Sequence, residues 1–367
     1  MSDHPPSEPA HQPEPAVPPP KAEDPVPVPP ATHLASRPAG RLIWVVLGMV
    51  AVGLFVMVAA LSAAGGAPQR AVDGLLGAGL GVSWAVPVLR IVADAAAVAT
   101  GGAVLAVLLF LPADGGKLGS KAIRACQDAA LAAGIWAVAS IGGLIATATV
   151  ILGIPLSHLA EHAEPAGQLT QVRALAAAVV LTAVLAVVLS GVKTMRGALL
   201  AAVLTVAALI GPLLTGHGAL DRTSAWSVLA TTSLVVHVVA ATAWVGGLAA
   251  VLRYSRSRQA VEVFSTLALV CAVTIGITGL LTAEIHLGGR QDGWGLITQW
   301  VTSGYGALVL GKTLAFVTLV IIGQLHRQST LPQLEAGDPV AFRRLAVLEL
   351  LVMAGTIGLA VALSRTP

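Results

Sequence analysis

Charged side chains are scarce in this sequence. Asp, Glu, Lys and Arg together supply 11% of 367 residues, where a soluble globular chain carries about 25%. A chain of this length with so few charges cannot cover a water-facing surface, so lipid is expected to solvate most of it. Cysteine is nearly absent as well. Cys126 and Cys271 are the two present, too far apart for a Cys-x-x-Cys redox or metal motif, and they say little about compartment. No run of basic residues forms a stripe or cluster, which argues against a nucleic-acid partner despite a net charge of +3. A phosphate-binding glycine loop of the nucleotide-hydrolysing kind is also missing, so any transport would be passive or driven by another gradient.

What is present is apolar mass. Hydrophobic residues make up 56% of the chain, and mean hydropathy is +0.85. Residues 1–40 stand apart, holding 13 of the 22 prolines in runs such as Pro18-Pro19-Pro20. Proline removes backbone donors and there is little apolar mass to bury, so a disordered, proline-rich tail is expected there. Its composition is not that of a cleaved signal peptide.

From Leu42 onward, apolar runs alternate with short polar breaks. The expected spans are Leu42–Ala64, Ala85–Leu111, Ala129–Leu152, Ala174–Ser190, Ala198–Leu214, Trp226–Leu252, Val263–Ala283, Tyr305–Gln324 and Leu345–Leu363. Most approach the roughly 20 residues that a helix needs to cross the hydrocarbon. Their uniform apolarity, without strand-like alternation, selects helices over a barrel. The fold class is therefore an all-α polytopic transmembrane bundle of about nine spans. Residues 41–216 form an N-terminal membrane region of about five helices, and residues 226–367 a second region of about four.

Basic residues give the orientation. Fourteen of them, from Lys21 and Arg37 through Lys117, Lys121, Arg253 and Arg258 to Arg343 and Arg344, fall in one set of connections. Five (Arg70, Arg173, Arg222, Arg290 and Arg365) fall in the alternate set. Under the positive-inside rule the tail is cytoplasmic and the C-terminus lies on the outer face.

With that orientation, His158, His162, His217 and His286 fall in outward connections beside Glu161, Glu164, Asp221, Glu284 and Asp292. Imidazole and carboxylate together are ordinary ligands of transition metals; the plain alternative is that outer loops are polar. His158-Leu159-Ala160-Glu161-His162 has the His-x-x-Glu-His spacing of inverted zinc peptidases. On a helix the two histidines would share a face, with Glu161 as base. Simple metal contact and a solvated helix end are the other readings.

Ionisable groups at membrane depth are costly and need a partner or a purpose. Arg90 and Asp94, four residues apart, are placed to neutralise each other. Lys312 has no acid within its own helix, and an interhelical pair with Asp94 is one expectation. Glu349 lies near the inner end of the last span, within range of Arg343, Arg344 or Arg327. His237 falls about midway along its span, on one face with Ala241, Trp244 and Leu248. Cys271 reaches similar depth when counted from the opposite side, and a histidine–cysteine pair would suit Cu(I). A buried histidine with a structural hydrogen bond is the alternative.

The segment His237-Val238-Val239-Ala240-Ala241-Thr242-Ala243-Trp244-Val245-Gly246-Gly247 resembles the His-x6-Trp-Val-Gly-Gly signature of the copper resistance protein D family (CopD). Phe264-Ser265, Thr278-Gly279-Leu280, Tyr305-Gly306 with Lys312, then Arg327, Pro332, Arg343-Arg344 and Glu349 follow in the family's order. The resemblance runs from about Trp226 to Pro367. It implies a multi-pass protein of the bacterial cytoplasmic membrane, not an enzyme, that moves or hands over copper ions from the outer face inward for homeostasis or resistance. A periplasmic-side copper chaperone or an oxidase assembly factor would be its partner. His237, Trp244 and Lys312 occupy family-type intramembrane positions. His326 stands where the family usually has asparagine, which makes it a candidate inner-face contact. Two alternatives stay open: a haem-binding or electron-transfer membrane protein, and a copper-delivery partner that does not transport.

Overall fold

The computed structural model describes residues 38–69, 77–215, 225–255, 257–286, 300–325, 328 and 339–366. The proline-rich tail up to residue 37 lies outside the described residues. The α-helices among the described residues are α1 Pro38–Ala63, α2 Leu80–Leu105, α3 Ser120–Leu152, α4 Ala163–Gln168, α5 Thr170–Gly191, α6 Met195–Ile210, α7 Ala225–Tyr254, α8 Arg258–His286, α9 Gly304–Leu325 and α10 Pro339–Leu363. Among the described residues nine helical segments are long and apolar enough to cross a membrane, and each coincides with one of the nine expected spans. Their outward faces carry exposed Trp44, Leu131, Val187, Val203, Ile277 and Leu314. Such a belt is unfavourable in water and natural in hydrocarbon.

Several helices overrun the expected limits. α2 continues through a π-helical turn, Ala106–Phe110, and α3 starts at Ser120, nine residues before the apolar run. Those extra turns carry Lys121, Arg124 and Asp128, which hydropathy alone trims away. Asp128 accepts hydrogen bonds from Arg253 (3.2 Å) and from the Tyr254 hydroxyl (2.9 Å), tying α3 to the end of α7. Both side chains of the ion pair are nearly half exposed, which caps its worth. Asp128→Ala is expected to cost about 1 kcal/mol, read as a small fall in the thermal midpoint in detergent.

Between α2 and α3 the chain turns through a hairpin, β1 Ala113–Asp114 and β2 Lys117–Leu118. Gly115 and Gly116 sit at φ 53° and 78°, the positive values that a tight two-residue hairpin turn demands at both central positions. The hairpin hydrogen-bonds the α5–α6 connection through Leu118 N–H to the Lys193 carbonyl (3.0 Å) and Met195 N–H to the Gly116 carbonyl (3.0 Å). Lys117, Lys193 and Arg196 are thereby gathered at the same end of the bundle as Arg253.

Two groups of helices are interlocked. α2 packs on α3, α3 on α5 and α5 on α6; α7 packs on α8, and α10 on α9. The groups meet where α2 lies along α7, and α1 lies along α10. Both contacts use glycine. A Cβ on Gly246 would stand 2.7 Å from the Val98 carbonyl oxygen and 2.8 Å from the Gly102 nitrogen, and one on Gly102 would run into the Gly246 backbone. In the second contact Gly358 approaches the Gly53 carbonyl equally closely. Lipid offers no hydrophobic drive to bring helices together, so close backbone approach with its dispersion gain does so. A large buried cluster lies towards the Arg253 end and includes Phe110, Trp244, Leu248, Phe264, Leu350 and Met353.

Candidate intramembrane polar site

The site is built on α7 and α8. They are antiparallel neighbours joined by a short turn, so residues at equal distance from that turn face each other. Thr278 and Gly279 of α8 stand opposite His237 of α7. His237 Nδ1 is 2.9 Å from Thr278 Oγ1, and the bare Gly279 leaves the ring room, its Cε1 lying 3.5 Å from where a Cβ would be. Ser233, one turn earlier on α7, donates to the Thr278 carbonyl at 3.2 Å, and Thr282 donates to that same carbonyl at 2.8 Å.

These bonds fix the histidine tautomer. Thr278 has one hydroxyl proton, and it points to the Thr274 carbonyl at 2.6 Å. The oxygen can therefore only accept from His237, so Nδ1 carries the ring proton and Nε2 keeps its lone pair. The Ile275 carbonyl, beside the same ring, suits a donor Nδ1 as well. An imidazole held in this way presents one free nitrogen to a ligand, the arrangement that metal-binding histidines use.

Lys312 of α9 lies near enough to influence the His237 ring. Two turns from His237 along α7, Trp244 meets Phe316 of α9 edge to face, with ring centroids 6.3 Å apart. Phe316 also lies against Gly276 of α8. The aromatic pair closes the space between α7, α8 and α9 on the Arg253 side of the polar site.

Other candidate residues are placed elsewhere. Cys271 is seven residues from Thr278 along α8, roughly 10 Å of helix rise. It is buried in the apolar cluster with Trp244 and Leu248, so the structure does not bring it to His237. Asp94 receives both of its contacts, at 3.0 and 3.2 Å, from Arg90, and no ion pair joins it to Lys312. Glu349 is 3% exposed and shares its helix face with Ala346, Leu350 and Met353, while Arg343 and Arg344 are exposed. Arg327, His217 and His326 lie outside the described residues, and so does the side chain of His286.

The His-x-x-Glu-His segment does not form the helix that a peptidase site requires. A left-handed Gly153 ends α3, Pro155 follows in extended conformation, and 158–162 passes through two short 3₁₀ turns. In that geometry residues three apart are aligned. Glu161 accordingly pairs with His158 (Nδ1 to Oε2, 3.1 Å), and His162 Nδ1 donates to the His158 carbonyl at 2.9 Å. His158 and Glu161 are exposed and His162 is half-buried. Among the described residues no group of three or more His, Cys, Asp or Glu comes together to hold a metal.

Thr278 was the functional candidate that the sequence reading left without a role. Its signal was available: Thr274, Thr278 and Thr282 recur at helical spacing along one face of α8, at about the distance from the turn at which His237 lies on α7.

Comparison with known proteins gives one match. The family model described as Copper resistance protein D matches residues 258–363, taking in Cys271, Thr278, Lys312 and Glu349 but stopping short of His237 and Trp244. No curated protein and no solved structure matches the chain. Over residues 258–363, then, this chain of many apolar spans is similar to the copper resistance protein D family.

Proposed function

We propose that the chain moves copper ions through the bacterial cytoplasmic membrane, from the face that carries His158 and His162 to the face that carries Arg253. The observation that carries this reading is the half-buried His237 ring, hydrogen-bonded through Nδ1 to Thr278, in the part of the bundle that abuts the family match. A single neutral imidazole is a modest ligand, and Cu(I) accepts two-coordinate, soft surroundings. Conduction needs a site that binds strongly enough to admit the ion and weakly enough to release it. The donor set fits such a transit site and not a storage centre. Copper here is cargo. The exposed His158–Glu161 pair and His162 would meet it first on the outer side, where a copper chaperone would deliver it.

A haem reading needs a second axial histidine at matching depth, and among the described residues within the spans His237 is the one histidine. Proteoliposomes holding the full chain test the proposal. Copper uptake is expected to fall at least about tenfold in His237→Ala, the loss that goes with removing a metal ligand's support. Uptake at the wild-type rate in His237→Ala would sink the reading. Copper that binds but never crosses would assign the protein to delivery towards oxidase assembly.

A further inference from the structure

Five cations are gathered at the Arg253 end of the bundle. The α2–α3 hairpin and the α5–α6 connection are far apart in sequence, yet their backbones are bonded into one surface. Leu118 N–H donates to the Lys193 carbonyl and Met195 N–H to the Gly116 carbonyl, each at 3.0 Å, and Lys117 pairs antiparallel with Thr194. This framework sets Lys117 beside the segment that carries Lys193 and Arg196. Lys121 and Arg124 follow in the opening turns of α3. All five side chains are exposed, and among the described residues none of them enters an ion pair. Asp114, across the hairpin from Lys117, is the one acidic residue within 111–124 and 192–196, and Asp128 is occupied by Arg253 and Tyr254. Positive charge therefore outweighs negative on this surface.

Setting the topology of a membrane chain needs basic residues in its connections. It does not need two remote connections bonded to each other beneath those residues. What adjoins the charges identifies their partner. On α3, Arg124 shares a face with Leu131, Ile135 and Val138 by helical spacing, and these are 70%, 47% and 70% exposed. On α6, Arg196 shares a face with Leu199, Leu200 and Val203, each more than half exposed. Cations that run directly into lipid-facing apolar stripes fit a molecule with a phosphate at one end and hydrocarbon at the other. An acidic soluble protein would engage the cations and have no use for the stripes.

We propose that this surface binds anionic phospholipids of the adjoining leaflet. Their phosphates meet Lys117, Lys121, Arg124, Lys193 and Arg196, and their acyl chains lie along the α3 and α6 stripes. Long basic side chains suit the task, since their stems cover apolar surface while the charge stays at headgroup level. Each cation beside an acidic membrane surface adds about fivefold in affinity. Lipid held in this way joins the α2–α3 and α5–α6 connections a second time, over their backbone bonds. The inference stands apart from the copper reading and does not depend on what the protein carries.

The test adds phosphatidylglycerol or phosphatidylcholine of identical acyl chains to the purified full chain in neutral detergent. Native mass spectrometry reads the lipid retained. Wild type is expected to hold phosphatidylglycerol at least about twentyfold better, an advantage that shrinks as salt screens the exposed charges. Lys193→Gln with Arg196→Gln should lose about fivefold per cation removed. Lys121→Gln with Arg124→Gln repeats the measurement from α3, should the first pair fold poorly. Arg343→Gln with Arg344→Gln removes equal charge from exposed residues of α10 and should stay within about threefold of wild type. Glycerophosphoglycerol, the same headgroup without chains, should not compete. Equal retention of the two lipids by wild type overturns the proposal. So does a loss in the α10 pair equal to that in the other pairs, which leaves net charge alone at work. Competition by glycerophosphoglycerol overturns it as well, by making a soluble phosphate compound the occupant.

Discussion

Gly246→Val is expected to cut the yield of monodisperse protein at least about fivefold and to cost about 3 kcal/mol or more, at or above the upper end of ordinary overpacking. At this position the valine Cβ would lie within 3 Å of the backbone of Val98 and Gly102 on α2. Backbone atoms of a hydrogen-bonded helix cannot step aside as a side-chain tip can, so α2 and α7 must separate along the contact. Separation strips the dispersion that holds the two groups of helices together in lipid, where no hydrophobic effect replaces it. Gly143→Val supplies the control. That glycine also sits within a long apolar helix, but its Cβ would meet nothing within 4 Å, and the change there should stay within about 0.5 kcal/mol. Size-exclusion profiles and thermal midpoints in one detergent compare them directly. Equal behaviour of the two variants would mean that the α2–α7 contact does not hold the bundle together.

The spans were legible because hydropathy reports depth, and depth is what a bilayer imposes on a helix. Each expected run from Leu42–Ala64 to Leu345–Leu363 has its helix. The errors sit at the ends, as at Ser120, where charged turns continue a helix beyond the apolar layer. Rotation about the helix axis was not legible. A helix that is apolar all round gives no periodic signal for which face meets which neighbour, and α5 is of this kind. For that reason His237 was recognised while its partner was not. Matching His237 with Cys271 used depth alone, whereas a short turn between antiparallel helices pairs residues by their distance from it and points past Cys271 to the 275–279 stretch. The His-x-x-Glu-His spacing misled for a related reason. Its meaning depends on an α-helical register, and Gly153 and Pro155 just upstream already argue against one. The glycine contacts were foreseeable only in kind. Thirty-nine glycines announce close packing without saying that Gly102 and Gly246 are the two that touch.

Thr278→Val should weaken copper binding at His237 by about tenfold to a hundredfold, the range typical when the residue orienting a metal-binding histidine is lost. Valine keeps the volume and the β-branch but cannot accept a hydrogen bond. The Nδ1 proton then keeps only the Ile275 carbonyl beside the ring, and the tautomer with the proton on Nε2 becomes competitive; in that form Nε2 can no longer bind metal. The effect has a signature that packing damage lacks. Nitrogen NMR of histidine-labelled protein should show a single Nδ1–H tautomer for His237 in the wild type and a mixture, or the other form, in Thr278→Val. Thr278→Ser retains the hydroxyl, and its proton can still bond the Thr274 carbonyl, so it should restore both the tautomer and most of the affinity. Ser233→Ala removes a bond to the Thr278 carbonyl, which still accepts from Thr282, and should leave the tautomer alone. If Thr278→Val loses affinity while its tautomer stays that of the wild type, Thr278 acts through packing. The free Nε2 would then owe nothing to its hydroxyl, and the local argument for His237 as a presented ligand would have to rest on the ring's place between α7, α8 and α9 alone.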